Sequence, residues 1–263
     1  MSYFRDSKRI VVKVGTSTLT HSTGHLNLRR IEKLVKVLSD MKNWGMQVVL
    51  VSSGAVSAGM AKIGFGRIPS SPEEKQAMAA VGQSELMKIY DRFFSDYGHT
   101  VAQILMTKEV LSNPERRAAA ENTFRRLLEM NCIPVVNEND SVSVEEIVFG
   151  DNDNLSAIVA SLVDAQGLII LTDIDGYYDD DPRENPDARL IHNLYEITDQ
   201  MINSAGGGGT SRGTGGMRTK LEAAKFAGNH GIETIIMSGE NPKKIFDLFD
   251  GHSVGTHIKL KGN

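Results

Sequence analysis

Continuous runs of β-branched and aliphatic residues alternate with helix-period patterns from one end of the chain to the other. The runs are RIVVKV (9–14), MQVVLV (46–51), TVAQILM (100–106), CIPVVN (132–137), GLIILT (167–172) and ETIIMS (233–238), with GTHIKL closing the sequence at 255–260. They lack the in–out alternation of half-exposed strands, so they fit a mostly parallel sheet covered by helices on both faces. The segments between them have the helical period. Asn27 can cap a helix with apolar residues at Leu28, Ile31, Leu34, Val35, Leu38 and Met41, and Gly45 can end it. Further helices are predicted over 73–96, from Pro114 to Met130, over 153–164, after Lys220 and from Pro242. No internal repeat or composition break divides the chain, so a single domain is expected over 1–263.

Composition narrows the function. Of 263 residues, 40% are hydrophobic and 24% charged, an ordinary balance for a soluble enzyme. A net charge of −4 argues against general nucleic-acid binding. No apolar run approaches the ~20 residues of a membrane span. The charged start, MSYFRDSKR, runs into VVKV without the apolar core of a secretory signal. The single Cys132 cannot pair internally, and it is expected to be a small buried apolar residue. A cytoplasmic location is the default expectation.

In a parallel α/β sheet, ligands collect at the carboxyl ends of the strands. Lys13 lies inside the first apolar run, where a charge is costly unless paired or bound to an anion, and Gly15-Thr16-Ser17 follow it. The second run ends in Ser52-Ser53-Gly54-Ala55, which suits either an anion or a serine-capped turn. Asn137-Glu138-Asn139-Asp140 and Asp151-Asn152-Asp153-Asn154 are acidic, amide-rich turns. They lack EF-hand spacing. Solvated Asx caps, or side chains that bind a zwitterionic small molecule and orient nearby lysines, are both open readings. Thr172-Asp173 closes another strand, and Asp179-Asp180-Asp181-Pro182 is expected to be a solvated loop. The segment GGGGTSRGTGGMRTK (206–220) leads into a helix and places Lys220 in its first turn. Glycines let backbone N–H groups approach an anion, and the helix N-terminus adds partial positive charge. The run 206–209 alone would also suit a linker, but Gly213–Lys220 favours a phosphate site. No Gly-Lys-Ser/Thr follows, so this is not a Walker A loop.

Taken together, VVKVGTS (11–17), VLVSSGAVSAG (49–59), AAVGQSELM (79–87), PVVNENDSV (134–142), FGDNDNLSA (149–157), ILTDIDGYYDDDPR (170–183) and GTGGMRTKLEAA (213–224) resemble the amino acid kinase family, in its glutamate-phosphorylating branch. The resemblance spans nearly the whole chain. It implies an open αβα sandwich with an eight-stranded, mainly parallel sheet. It also implies ATP-dependent phosphorylation of the side-chain carboxylate of L-glutamate to L-glutamyl 5-phosphate, the first step of L-proline biosynthesis. By similarity, Lys13, Lys220 and Asp153 are the catalytic residues, with Asp153 holding the lysines. Ser53, Asp140 and Asn152 would bind glutamate. Lys13, Gly15, Thr172, Asp173, Thr214, Gly215, Gly216, Met217, Arg218, Thr219 and Lys220 would bind ATP. Magnesium would be held by the ATP phosphates, with no protein ligand assigned. L-proline feedback and homo-oligomeric assembly as dimer or tetramer are further implications, with the helix at 73–96 a candidate interface. Members of the family often carry a C-terminal PUA domain, and the chain is expected to be a short form without one.

Overall fold

The computed structural model describes residues 4, 7–21, 23–107, 109–142, 152–205 and 216–260. In chain order the elements are β1 (Arg9–Val14), α1 (Thr16–Leu19), α2 (Leu28–Asn43), β2 (Gln47–Ser52), α3 (Ala55–Ile63), α4 (Pro72–Ser95) and β3 (Val101–Met106). Next come α5 (Glu109–Ser112), α6 (Pro114–Glu129), β4 (Ile133–Glu138), α7 (Asn152–Leu162), β5 (Gly167–Thr172), β6 (Asn193–Leu194) and α8 (Asp199–Ser204). The last are α9 (Met217–Asn229), β7 (Glu233–Ser238), α10 (Lys244–Phe249) and β8 (Thr256–Ile258).

The eight strands form one sheet in the order β3-β4-β2-β1-β5-β7-β8-β6. All pairings are parallel except β7 with β8. The sandwich expected from the continuous apolar runs is therefore present. Caps account for several helix starts: the Asn27 side chain accepts from Arg30 N, and Ser71 accepts from Glu74 N just ahead of Pro72. Gly45, at φ 89°, turns the chain after α2 as expected.

Strand residues alternate between two cores. Val11, Val49, Val51, Val136, Leu168 and Ile170 pack with α6, α7 and α9. Ile10, Val12, Val14, Leu50, Val135 and Leu171 pack with α2, α4 and α10. Lys13 shares its face with Val11, so the period of two aims it at α7 and α9. β1 is central, with β2 on one side and β5 on the other. The chain switches sides there, which opens a crevice at the carboxyl ends of these strands.

Three features depart from the sequence reading. The turn after β1 winds into the short helix α1. The two-residue strand β6 was not foreseen, and β8 joins the sheet antiparallel to β7. Cys132 is half-buried, not buried, because it sits in the turn before β4. Among the described residues no helix is long and apolar enough to cross a membrane.

Candidate active site

Lys13, from the central strand, forms an ion pair with Asp153 Oδ1 at the start of α7. Lys220 Nζ, from the first turn of α9, lies 3.1 Å from Asp153 Oδ2. Both lysines are 5% exposed, and Asp153 is fully buried. Thr219 Oγ1 also donates to Asp153 Oδ2 at 3.0 Å. Burial alone would push the Asp153 carboxyl up, but the two ammonium groups outweigh it and hold the group below its usual value. Asp153 thus gathers two nearly buried ammonium groups from distant parts of the chain. Such a cluster is built to meet an anion.

The surrounding backbone has the same character. Gly15 runs directly beside the Lys13 amine: a Cβ there would lie 3.5 Å from Nζ, in ordinary van der Waals contact. Gly216 caps α9 and Gly54 caps α3, and neither helix start has a side-chain cap. Their first N–H groups are thus not used by a capping side chain. Thr172 is buried at the end of β5, and its hydroxyl donates to the exposed Asp173 at 3.0 Å. Met217 and Arg218 open α9, with Arg218 bonded to Glu222 on the helix surface. Thr214 and Gly215 lie outside the described residues.

A second polar group lies beside β2 and β4. Asn152 Nδ2 donates to Ser53 Oγ at 2.8 Å and to Asn137 Oδ1 at 2.9 Å. Asn137 in turn donates to Gln83 Oε1 on α4 at 3.0 Å. Asn152 and Asp153 are consecutive, so one helix start serves both the amide chain and the lysine cluster. Asp140 follows β4 and lines a cavity of about 660 Å³ between α4 and β3, together with Gln83, Gln103, Glu138 and Lys88. Burial and the nearby Glu138 charge raise the Asp140 carboxyl to about 6. The structure thus brings Ser53 to Asn152 and both lysines to Asp153. Asp140 stands on the neighbouring cavity wall. Asn137 and Gln83 were not among the expected site residues. Asn137 was visible as a polar residue ending an apolar run, whereas Gln83 lay in the resembling segment 79–87 with no role assigned to it.

A three-layer sandwich with paired lysines at the carboxyl edge of its sheet defines a phosphoryl-transfer class of protein. The chain belongs to the amino acid kinase family, whose model matches residues 8–238. Within that family it is 55% identical over 261 residues to the glutamate 5-kinase of Clostridium perfringens (strain 13 / Type A), covering 98% of this chain and 97% of that one. It is 51% identical over 261 residues to the glutamate 5-kinase of Listeria innocua serovar 6a, covering 98% and 95%. Among solved structures, carbamate kinase from Giardia lamblia bound to AMP-PNP shares the fold at a TM-score of 0.67 and 14% identity, covering 98% of this chain and 100% of that one. Isopentenyl phosphate kinase of T. acidophilum does so at 0.65 and 18%, covering 95% and 100%.

Proposed function

We infer that the chain phosphorylates the side-chain carboxylate of L-glutamate with ATP, giving L-glutamyl 5-phosphate and ADP, the opening step of L-proline biosynthesis. The observation that carries this reading is the buried Lys13–Asp153–Lys220 cluster, set beside the amide chain Ser53–Asn152–Asn137. The relatives' names point to the same acceptor.

The chemistry needs charge more than proton transfer. A glutamate side chain titrates near ~4.3, so the nucleophile is already ionised at neutral pH and no general base is required. A carboxylate oxygen attacks the γ-phosphorus as the bond from that phosphorus to the β,γ-bridging oxygen breaks, and ADP carries the released electrons. The barrier lies in pressing two anions together, which preorganised positive groups lower. Lys13 is assigned to the transferring phosphoryl and Lys220 to the leaving phosphates. Asp153 keeps both amines at fixed spacing. The N–H groups at Gly15 and Gly216 add donors without bulk, and Thr172, Asp173 and the 214–220 segment are assigned to the nucleotide. Ser53 is assigned to donate its hydroxyl to the acceptor carboxylate. Asn152, whose two amide protons are on Ser53 and Asn137, sets that hydroxyl in place on the substrate side, and Asp140 is assigned to the substrate ammonium group.

Magnesium fits this arrangement as a companion of the nucleotide. Asp153, the carboxylate at the amines, already has both oxygens engaged by lysine. The metal supplies neutralisation of phosphate charge when bound. L-proline inhibition, homo-oligomeric assembly, a single kinase domain and cytoplasmic residence belong to the same proposal. Acyl-phosphate trapping with hydroxylamine across a panel of carboxylates tests the acceptor, and hydroxamate with an acid other than L-glutamate counts against it.

A further inference from the structure

The cavity side of α4 is joined to the acceptor residues by one buried amide, Gln83. It lies on the face of α4 that also buries Ala79, Leu86 and Tyr90. It is 9% exposed. Asn152 places both protons of its amide nitrogen on Ser53 Oγ and Asn137 Oδ1. Asn137 Oδ1 also accepts from Glu138 N at 2.9 Å. Two donors therefore converge on that oxygen, and the rotation of the Asn137 amide decides where Asn152 points. The other end of that amide, Nδ2, is held by Gln83 Oε1.

α4 is itself fixed against the acceptor side in two further ways. Its Gly82 meets α3 backbone to backbone: a Cβ there would lie 1.7 Å from Ala55 O. The Tyr90 hydroxyl lies 2.8 Å from Ser52 Oγ, at the end of β2. Gln83 is thus anchored to the helix that also sets the position of the Ser53 turn. α4 reaches Asn152, at the start of α7, through the Gln83–Asn137 amide chain.

We infer that Gln83 is a positioning residue for the acceptor carboxylate, acting through Asn137 on Asn152 and Ser53. This inference rests on the assignment of Ser53 and Asn152 to the acceptor. Gln83 touches no reacting atom. It holds one amide in the rotation that lets a second amide and a hydroxyl share a fixed geometry. Loosening that preorganised geometry weakens the hold on the acceptor without disturbing nucleotide binding.

Steady-state kinetics on the full chain separate the possibilities. Gln83→Met, which keeps volume but loses the accepting oxygen, is expected to raise the glutamate KM about tenfold, the scale of one buried hydrogen bond, with the ATP KM within about twofold. Gln83→Leu, which also lacks the accepting oxygen, is expected to match Gln83→Met within about threefold. Gln83→Glu would add a buried charge beside Glu138 and Asp140 and is not a neutral control. In an Asn137→Ala background, Gln83→Met is expected to add less than about twofold, because the two residues act in series. Equal loss for both substrates, or full additivity with Asn137→Ala, overturns the inference. Should Gln83→Met fail to fold, Gln83→Leu takes its place in both backgrounds, and an unchanged glutamate KM in it counts against. Asn152→Ala runs alongside. If it leaves the glutamate KM unchanged, the acceptor assignment fails. If it raises that KM while Gln83→Met does not, only the role of Gln83 fails.

Discussion

Lys13 and Lys220 are held on opposite oxygens of a single buried carboxylate, Asp153. One amine comes from the central strand and the other from the first turn of a helix in the last third of the chain. Each needs a counter-charge at this depth, and one group serves both.

Removing that counter-charge should be costly twice. Asp153→Asn leaves two buried ammonium groups facing a neutral amide, and breaking a buried pair costs about 3–5 kcal/mol. The ligand-free melting temperature should fall sharply. Mg-ATP should restore more of it in the variant than in the parent, since phosphates then meet the stranded charge. Thermal denaturation with and without nucleotide checks this. Equal nucleotide stabilisation in both proteins would count against a phosphate site at the lysines.

Lys13→Ala and Lys220→Ala should each lower kcat by about 10²-fold or more, the scale for losing a preorganised charge stabiliser. The folded state should survive better than in Asp153→Asn, because each variant leaves Asp153 one lysine partner. Turnover assays at saturating substrates decide, and near-normal kcat in either variant removes that lysine from the chemistry.

Asp140 gives a pH signature. Its carboxyl is raised to about 6 by burial and the Glu138 charge. It is ionised at pH 7.5 and can hold an ammonium group, but it is neutralised as pH falls through 6. The glutamate KM should therefore rise between pH 7.5 and pH 5.5, and this rise should vanish in Asp140→Asn. A carboxyl with a raised value also favours the folded state at low pH and withdraws that support as pH climbs through 6. Asp140→Asn should thus stabilise the ligand-free protein at pH 7.5 by ~1–3 kcal/mol while weakening glutamate binding. A pH-independent KM in the parent would remove Asp140 from substrate recognition.

Gly82 tests the α3–α4 contact. A methyl group there would lie 1.7 Å from Ala55 O and 2.4 Å from Gly59 N, both backbone atoms with no side-chain freedom to yield. Gly82→Ala should destabilise the fold by ~1–3 kcal/mol or more. The glutamate KM should rise ahead of the ATP KM, because the Ser53 turn leads directly into α3. Unchanged stability would mean that the two helices can part without consequence.

The sheet was legible because its strands are buried on both faces, so β1, β5 and β7 stood out as continuous apolar runs with the expected bounds. β6 was not, because Asn193 and Leu194 become a strand only through pairing with His257 and Ile258. Lys13 announced itself as a charge inside an apolar run, and a buried partner followed from electrostatic cost. That the partner would be Asp153, shared with Lys220, came from motif resemblance, since no local pattern links residues so distant in the chain. Gln83 was given no role for a related reason. A polar residue on a long helix looks like a solvated position until the strand it faces, and Asn137 on it, are in place.

The most direct measurement is hydroxylamine trapping with ATP and magnesium, comparing L-glutamate, N-acetyl-L-glutamate, L-aspartate and no acceptor. ADP release is followed alongside, with UMP included in that panel. Hydroxamate formed with L-glutamate alone is the result expected of a carboxylate kinase whose acceptor site holds a free ammonium group. ADP release with UMP and no hydroxamate, or hydroxamate only with the N-acetylated acid, would contradict the account at its centre.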